Sequence, residues 1–196
     1  MLASITPLGE RGRHARWPVT VSAFVLGATV AGAGVGWLMG AVGSVVLPGS
    51  IPEAARIGAL VVALAAAVAL DLRPGAVPGP RRQVNERWLH ELRGWVYGLG
   101  FGAQLGLAVT TVISSAATYV CLLAALLTGD AAGGALVLGC FGAVRGLALL
   151  AVAHIRHPDQ LLAMQARLQR WREPAQRLVL GLETALLALA AVWSLP

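Results

Sequence analysis

Apolar residues fall along the chain in five runs separated by polar segments: about 19–47, 57–70, 95–127, 131–153 and 178–195. A helix needs roughly 20 predominantly apolar residues to cross the hydrocarbon core of a bilayer. The fourth run fits that length, and the second and fifth reach it with flanking residues. The third, at about 33 residues, is too long for one straight span. It is expected to tilt, kink or lie partly in the interface near Trp95 and Tyr97. The pattern predicts an all-α integral membrane protein with one polytopic domain over residues 1–196. Five transmembrane helices are expected, with segments 71–94 and 154–177 as cytoplasmic loops.

Composition strengthens this. Apolar residues make up 57% of the chain and charged residues only 12%, with a mean hydropathy of +0.73; a soluble domain carries about 25% charge. The net charge of +6 could suggest nucleic acid. However, the basic residues, all arginines, lie mostly in short connections, where they set topology and meet anionic headgroups.

The arginines also orient the chain. Arg11, Arg13 and Arg16 precede the first run, and only Arg56 lies between the first and second. Arg73, Arg81, Arg82, Arg87 and Arg93 follow the second run, none lies between the third and fourth, and Arg156, Arg167, Arg170, Arg172 and Arg177 follow the fourth. This alternation predicts a bacterial inner-membrane protein with its N-terminus in the cytoplasm and its C-terminus outside. No apolar core precedes Pro18, so the start does not read as a signal peptide. Within the cytoplasmic segments, NERWLHELR (85–93) and HPDQLLAMQARLQRWR (157–172) read as amphipathic helices, either on the membrane surface or as solvated connectors. His154 and His157, at the edge of the second, read as interfacial.

An internal repeat emerges at an offset of 112: Val25, Leu26, Gly27 and Ala31 match Val137, Leu138, Gly139 and Ala143. The runs that follow, from Arg56 and from Arg177, are again alike. The copies would run in opposite directions, which makes an inverted-topology repeat of the kind found in transporters. The implied fold is a 3+3 inverted repeat lacking most of its first helix. Of that helix only the end is expected, opposite residues 116–118, so the start is either a true five-span form or a shortened six-span one.

FVLGATVAGAGVG (24–36), the entry at Arg56 and Gly58, and GLGFGAQLGL (98–107) together resemble the CcdA/DsbD transmembrane family and the wider LysE/TauE-like exporters. The resemblance covers most of the chain. It implies either solute export or thiol–disulfide electron transfer as in cytochrome c biogenesis. The family's Pro–Cys motif is absent: ASITPL keeps a proline without a cysteine, and AVTTVISSAAT (108–118) has hydroxyl residues where the motif would fall.

Few side chains offer chemistry. Cys121 and Cys140 lie on adjacent runs, at about 9 Å and 13 Å from the turn between them. They read as a redox pair or as small apolar residues. No Cys-x-x-Cys or His/Cys ligand spacing points to a metal, and no hydrolase or nucleotide motif appears. Neither a cofactor nor enzymatic activity is expected unless the redox reading holds. The third run is rich in polar groups: Gln104, Thr110, Thr111, Ser114, Ser115 and Thr118. On a continuous helix Thr111, Ser114, Ser115 and Thr118 share a face, which suits either close helix packing or a wet solute path.

Arg145 stands roughly 12 Å inside the fourth run and Glu183 roughly 9 Å above Arg177 on the fifth. Intramembrane charges are costly and mark pairs or pathways, so an Arg145–Glu183 pair is expected. With the hydroxyls, the guanidinium would suit a carboxylate or oxyanion. The leading expectation is a small-solute or ion transporter in the lipid bilayer, possible as a homo-oligomer. Alternatives are a CcdA-type electron carrier and a non-catalytic scaffold subunit of a membrane complex.

Overall fold

The computed structural model describes residues 5–47, 51–73, 77–79, 88–107, 113 and 115–193. Among these there are helices and no strands. The elements are α1 (Pro7–Gly12), α2 (Trp17–Val46), α3 (Glu53–Asp71), α4 (Trp88–Glu91), α5 (Gly94–Gly106), α6 (Ala117–Leu127), α7 (Ala131–Leu147) extended by a 3-10 turn (Ala148–Val152), and α8 (Pro158–Trp193). Three are long and apolar enough to cross a membrane: Trp17–Val46, Glu53–Asp71 and Ala131–Val152.

α2 is the axis of the molecule, and glycine makes it so. Gly27, Gly32, Gly36, Gly40 and Gly43 are buried, while Leu26, Val30, Trp37, Leu38 and Val45 are exposed. Small residues inside and large aliphatics outside is the arrangement of a helix whose solvent is lipid, where association rests on close backbone contact. Against α7 the facing pairs are Gly40 with Asp130, Gly36 with Gly134, Gly32 with Leu138 and Ala28 with Gly142. Numbers rise on one helix as they fall on the other, so α2 and α7 are antiparallel. Against α5 the pairs are Thr20 with Gly98, Phe24 with Gly102 and Ala28 with Gly106, which rise together. α5 is therefore parallel to α2. The Ala28 carbonyl is approached from both sides, by Gly106 and by Gly142.

The third apolar run is not one helix. α5 ends at Gly106 and α6 begins only at Ala117, still alongside α2, where Gly43 meets Leu126. The expected bend is thus an interruption. Residues 108–112 and 114 lie outside the described part. The α6–α7 turn is short, and Gly129 takes φ +61°, a left-handed conformation that glycine adopts without steric cost. Asp130 then caps α7, accepting from the Gly133 amide at 2.6 Å.

One further expectation changes. Segment 154–177 is not a loop separate from the fifth run: α8 is continuous from Pro158 to Trp193, through Pro174. Pro174 is exposed and supplies no amide hydrogen for the carbonyl one turn before it. α8 packs along α3, and α3 also touches α6. Of the segment 85–93, the described helix is Trp88–Glu91.

Before α2, the N-terminal segment is folded in. Thr6 caps α1 by accepting from the Gly9 amide at 3.1 Å, Pro7 occupies its first turn, and the Leu8 amide donates to the Ile155 carbonyl at 3.1 Å. Ile5, Phe24, Tyr97, Phe101, Val152 and Ile155 are among the residues that close an apolar core there. Trp88 stacks on Phe101 with ring centres 5.8 Å apart.

Candidate functional site

The interruption between α5 and α6 gathers three charged side chains, Arg145, Asp71 and Glu183. A helix end leaves backbone groups unpaired and carries about half a unit charge, negative at the C-terminus and positive at the N-terminus. At the end of α5, Arg145 of α7 donates from Nη1 to the Leu105 carbonyl at 3.4 Å. Its guanidinium carbon lies 5.3 Å from the centre of the Phe141 ring, a cation–π distance. At the start of α6, Asp71 of α3 accepts from the Ala116 amide through Oδ1 at 2.9 Å. Ser115 donates to Glu183 Oε1 of α8 at 3.4 Å, while its own Oγ accepts from the Ala117 amide at 3.1 Å. A cation thus faces the negative half-helix end, and two carboxylates face the positive one.

Arg145 and Glu183 attend the same break but do not pair. Among the described residues the one ion pair within contact is Arg13 with Glu10, at 2.8 Å. The reason is lateral placement. α8 packs along α3, whereas Arg145 of α7 is turned to the end of α5. Glu183 is 3% exposed, and its Oε2 has no hydrogen-bond partner among the described residues.

The other expected residues scatter. Gln104 is half-buried in the last turn of α5, and Thr118 is buried in the first turn of α6. Ser115 precedes α6 in non-helical backbone, so the helical face expected for Thr111, Ser114, Ser115 and Thr118 is interrupted there. Thr110, Thr111 and Ser114 lie outside the described residues. Both cysteines are free: Cys140 is exposed on α7, and Cys121 is half-buried on α6 within electrostatic range of Arg145. No group of three His, Cys, Asp or Glu side chains able to hold a metal forms among the described residues.

Two acidic residues were missed. Asp71 closes an apolar run and reads as its polar flank. Glu10 sits among arginines and reads as solvated, yet it is fully buried. It accepts from Thr20 Oγ1 at 2.7 Å and from the Tyr97 hydroxyl at 2.5 Å, and it pairs with Arg13. A cavity of 410 Å³ lined by residues including Arg13, His14, Arg93 and Tyr97 opens beside it. A second, of 470 Å³, lies between the 3-10 turn and the first half of α8, with His154, Arg167 and Trp171 in its wall. At the far end of the molecule Arg56 donates to the Leu127 and Thr128 carbonyls at 3.4 and 3.5 Å, capping the C-terminus of α6.

Fold and site define an all-helical chain with three helices able to span a membrane and a charged break beside them. No protein-family model matches the chain, and no curated protein or solved structure matches it either.

Proposed function

We propose that this chain is a multi-pass inner-membrane carrier that moves a small solute or ion past the break between α5 and α6. The observation that carries the reading is that break: two short helices on one apolar path, with charged side chains from three other helices turned to their facing ends. Irregular backbone at membrane depth is tolerated where it is buried in protein or lines a polar cavity. Half-helix ends of this kind are where carriers bind ions and charged solutes. The antiparallel α2 and α7, with α3 packed on α8, suit the inverted repeat. The Arg145 guanidinium favours a small carboxylate as solute.

Reconstitution into liposomes tests this. Uptake of labelled lactate, succinate, glutamate and leucine is measured against protein-free vesicles. Uptake of a carboxylate that is abolished in Arg145→Gln, with helicity unchanged, supports the carrier. Folded protein that moves none of these and conducts no ions sinks it.

A further inference from the structure

We propose that Asp71, Glu183 and Ser115 form a binding site for a small monovalent cation of the Na+ class at the N-terminus of α6. Three observations converge. First, two carboxylates from different helices act on each other across one short segment: Asp71 holds the Ala116 amide and Glu183 the Ser115 hydroxyl. Second, Glu183 is buried while its Oε2 stays without a donor. A buried charged oxygen without a partner is costly, and an orphaned acceptor of this kind calls for an occupant. Third, the charge does not balance. The end of α6 supplies about half a positive charge, against two carboxylates. Among the described residues no cation lies within ion-pair distance of Glu183. Arg145 is engaged at the other lip of the break and Arg56 at the far end of α6.

The ligand class follows from the donors. All are oxygens, which suit hard cations. Oε2 of Glu183, Asp71 and the Ser115 hydroxyl come from three chain segments that meet at the start of α6. Ca2+ takes 6–8 oxygens, mostly from the protein, and two carboxylates with a hydroxyl fall short of that. A monovalent ion leaves only about half a negative charge at the site and needs only water in its remaining positions.

The site gives the carrier its coupling ion, and in that use it rests on the transport reading. Its occupancy is measured without any flux, so either can fail alone. The melting temperature of the purified protein in detergent is followed while NaCl replaces choline chloride at constant ionic strength. A saturable rise in Na+ is expected by linkage; it should be lost in Glu183→Gln and Asp71→Asn and need about tenfold more Na+ in Ser115→Ala. Equal melting in Na+ and choline overturns the site. So does a melting temperature that depends on pH but not on Na+, which would assign the pair a shared proton instead. Should the acidic variants fail to fold, a second readout stands on Cys140→Ser. Cys121 lies about one turn along α6 from Ala117, and its alkylation by N-ethylmaleimide should slow several-fold in Na+ but not in choline. Equal rates overturn the proposal.

Discussion

Gly36 of α2 and Gly134 of α7 are reciprocal: a Cβ added to either one would run into the carbonyl oxygen of the other. α2 cannot move away alone, because it is held on its other side by Gly98, Gly102 and Gly106 of α5. The obstacle is backbone, which cannot rotate aside as a side chain does. Gly36→Ala and Gly134→Ala are therefore expected to destabilise the protein by about 1–3 kcal/mol each, as overpacking does. Gly34 provides the control, since a Cβ there meets nothing within 4 Å. Gly34→Ala should be neutral or stabilising by up to about 1 kcal/mol through helix propensity. Thermal unfolding in one detergent distinguishes the three. Equal melting temperatures for all three variants would show that the seam is not tight.

Glu10 ties α1 to α2 and α5 through Thr20 and Tyr97. Tyr97→Phe removes one donor and leaves Glu10 with Thr20 and Arg13, so a loss of about 1–3 kcal/mol is expected. Glu10→Ala is worse. It removes at once the acceptor of the Tyr97 and Thr20 hydroxyls and the ion pair to Arg13, at a cost of about 3–5 kcal/mol. Glu10→Gln should fall between, because an amide oxygen still accepts from one hydroxyl. The measured order of melting temperatures checks this. A Glu10→Ala variant as stable as wild type would mean that α1 does not hold the bundle.

Hydrophobic patterning made three of the helices legible, because burial in lipid writes itself as long apolar runs. α2, α3 and α7 fall where the runs at 19–47, 57–70 and 131–153 place them. The break in the third run was not legible, since Thr, Ser and Ala are as common in a packed transmembrane helix as at an interruption. Arg145 announced itself as a charge among apolar neighbours, but its surroundings did not. Sequence gives depth along a helix and not which neighbour stands beside it, and α8 turned out to lie on α3. Asp71 and Glu10 were overlooked because a carboxylate at the end of a run or beside arginines is ordinarily solvated.

The free cysteines differ in surroundings, which makes their reactivity predictable. Cys140 is exposed on α7, and Cys121 is half-buried on α6. A membrane-permeant maleimide is expected to label Cys140 several-fold faster than Cys121, with the same pattern after treatment with oxidant or dithiothreitol. Thiolate access governs that rate. A Cys-free variant should keep its stability within about 1 kcal/mol of wild type, since neither cysteine is fully buried. Loss of labelling at both positions after oxidation, restored by dithiothreitol, would instead favour the electron-carrier reading.

Arg145 is the residue whose partner most needs to be measured rather than read. It touches the Leu105 carbonyl and the Phe141 ring, while Glu183 is held by Ser115. A double-mutant cycle converts that difference into energies. Arg145→Gln and Phe141→Leu, singly and together, should give a coupling of about 0.5–2 kcal/mol, the range of a cation–π contact. Arg145→Gln and Glu183→Gln should couple by less than about 0.5 kcal/mol, as residues without a shared contact do. Leu105 contributes only its carbonyl, so Arg145→Lys should retain part of the stability by keeping a cation at the end of α5. It should lose the Phe141 coupling only in part, because an ammonium also attracts an aromatic face. Strong coupling between Arg145 and Glu183, with none to Phe141, would restore the direct ion pair and place α8 against α7.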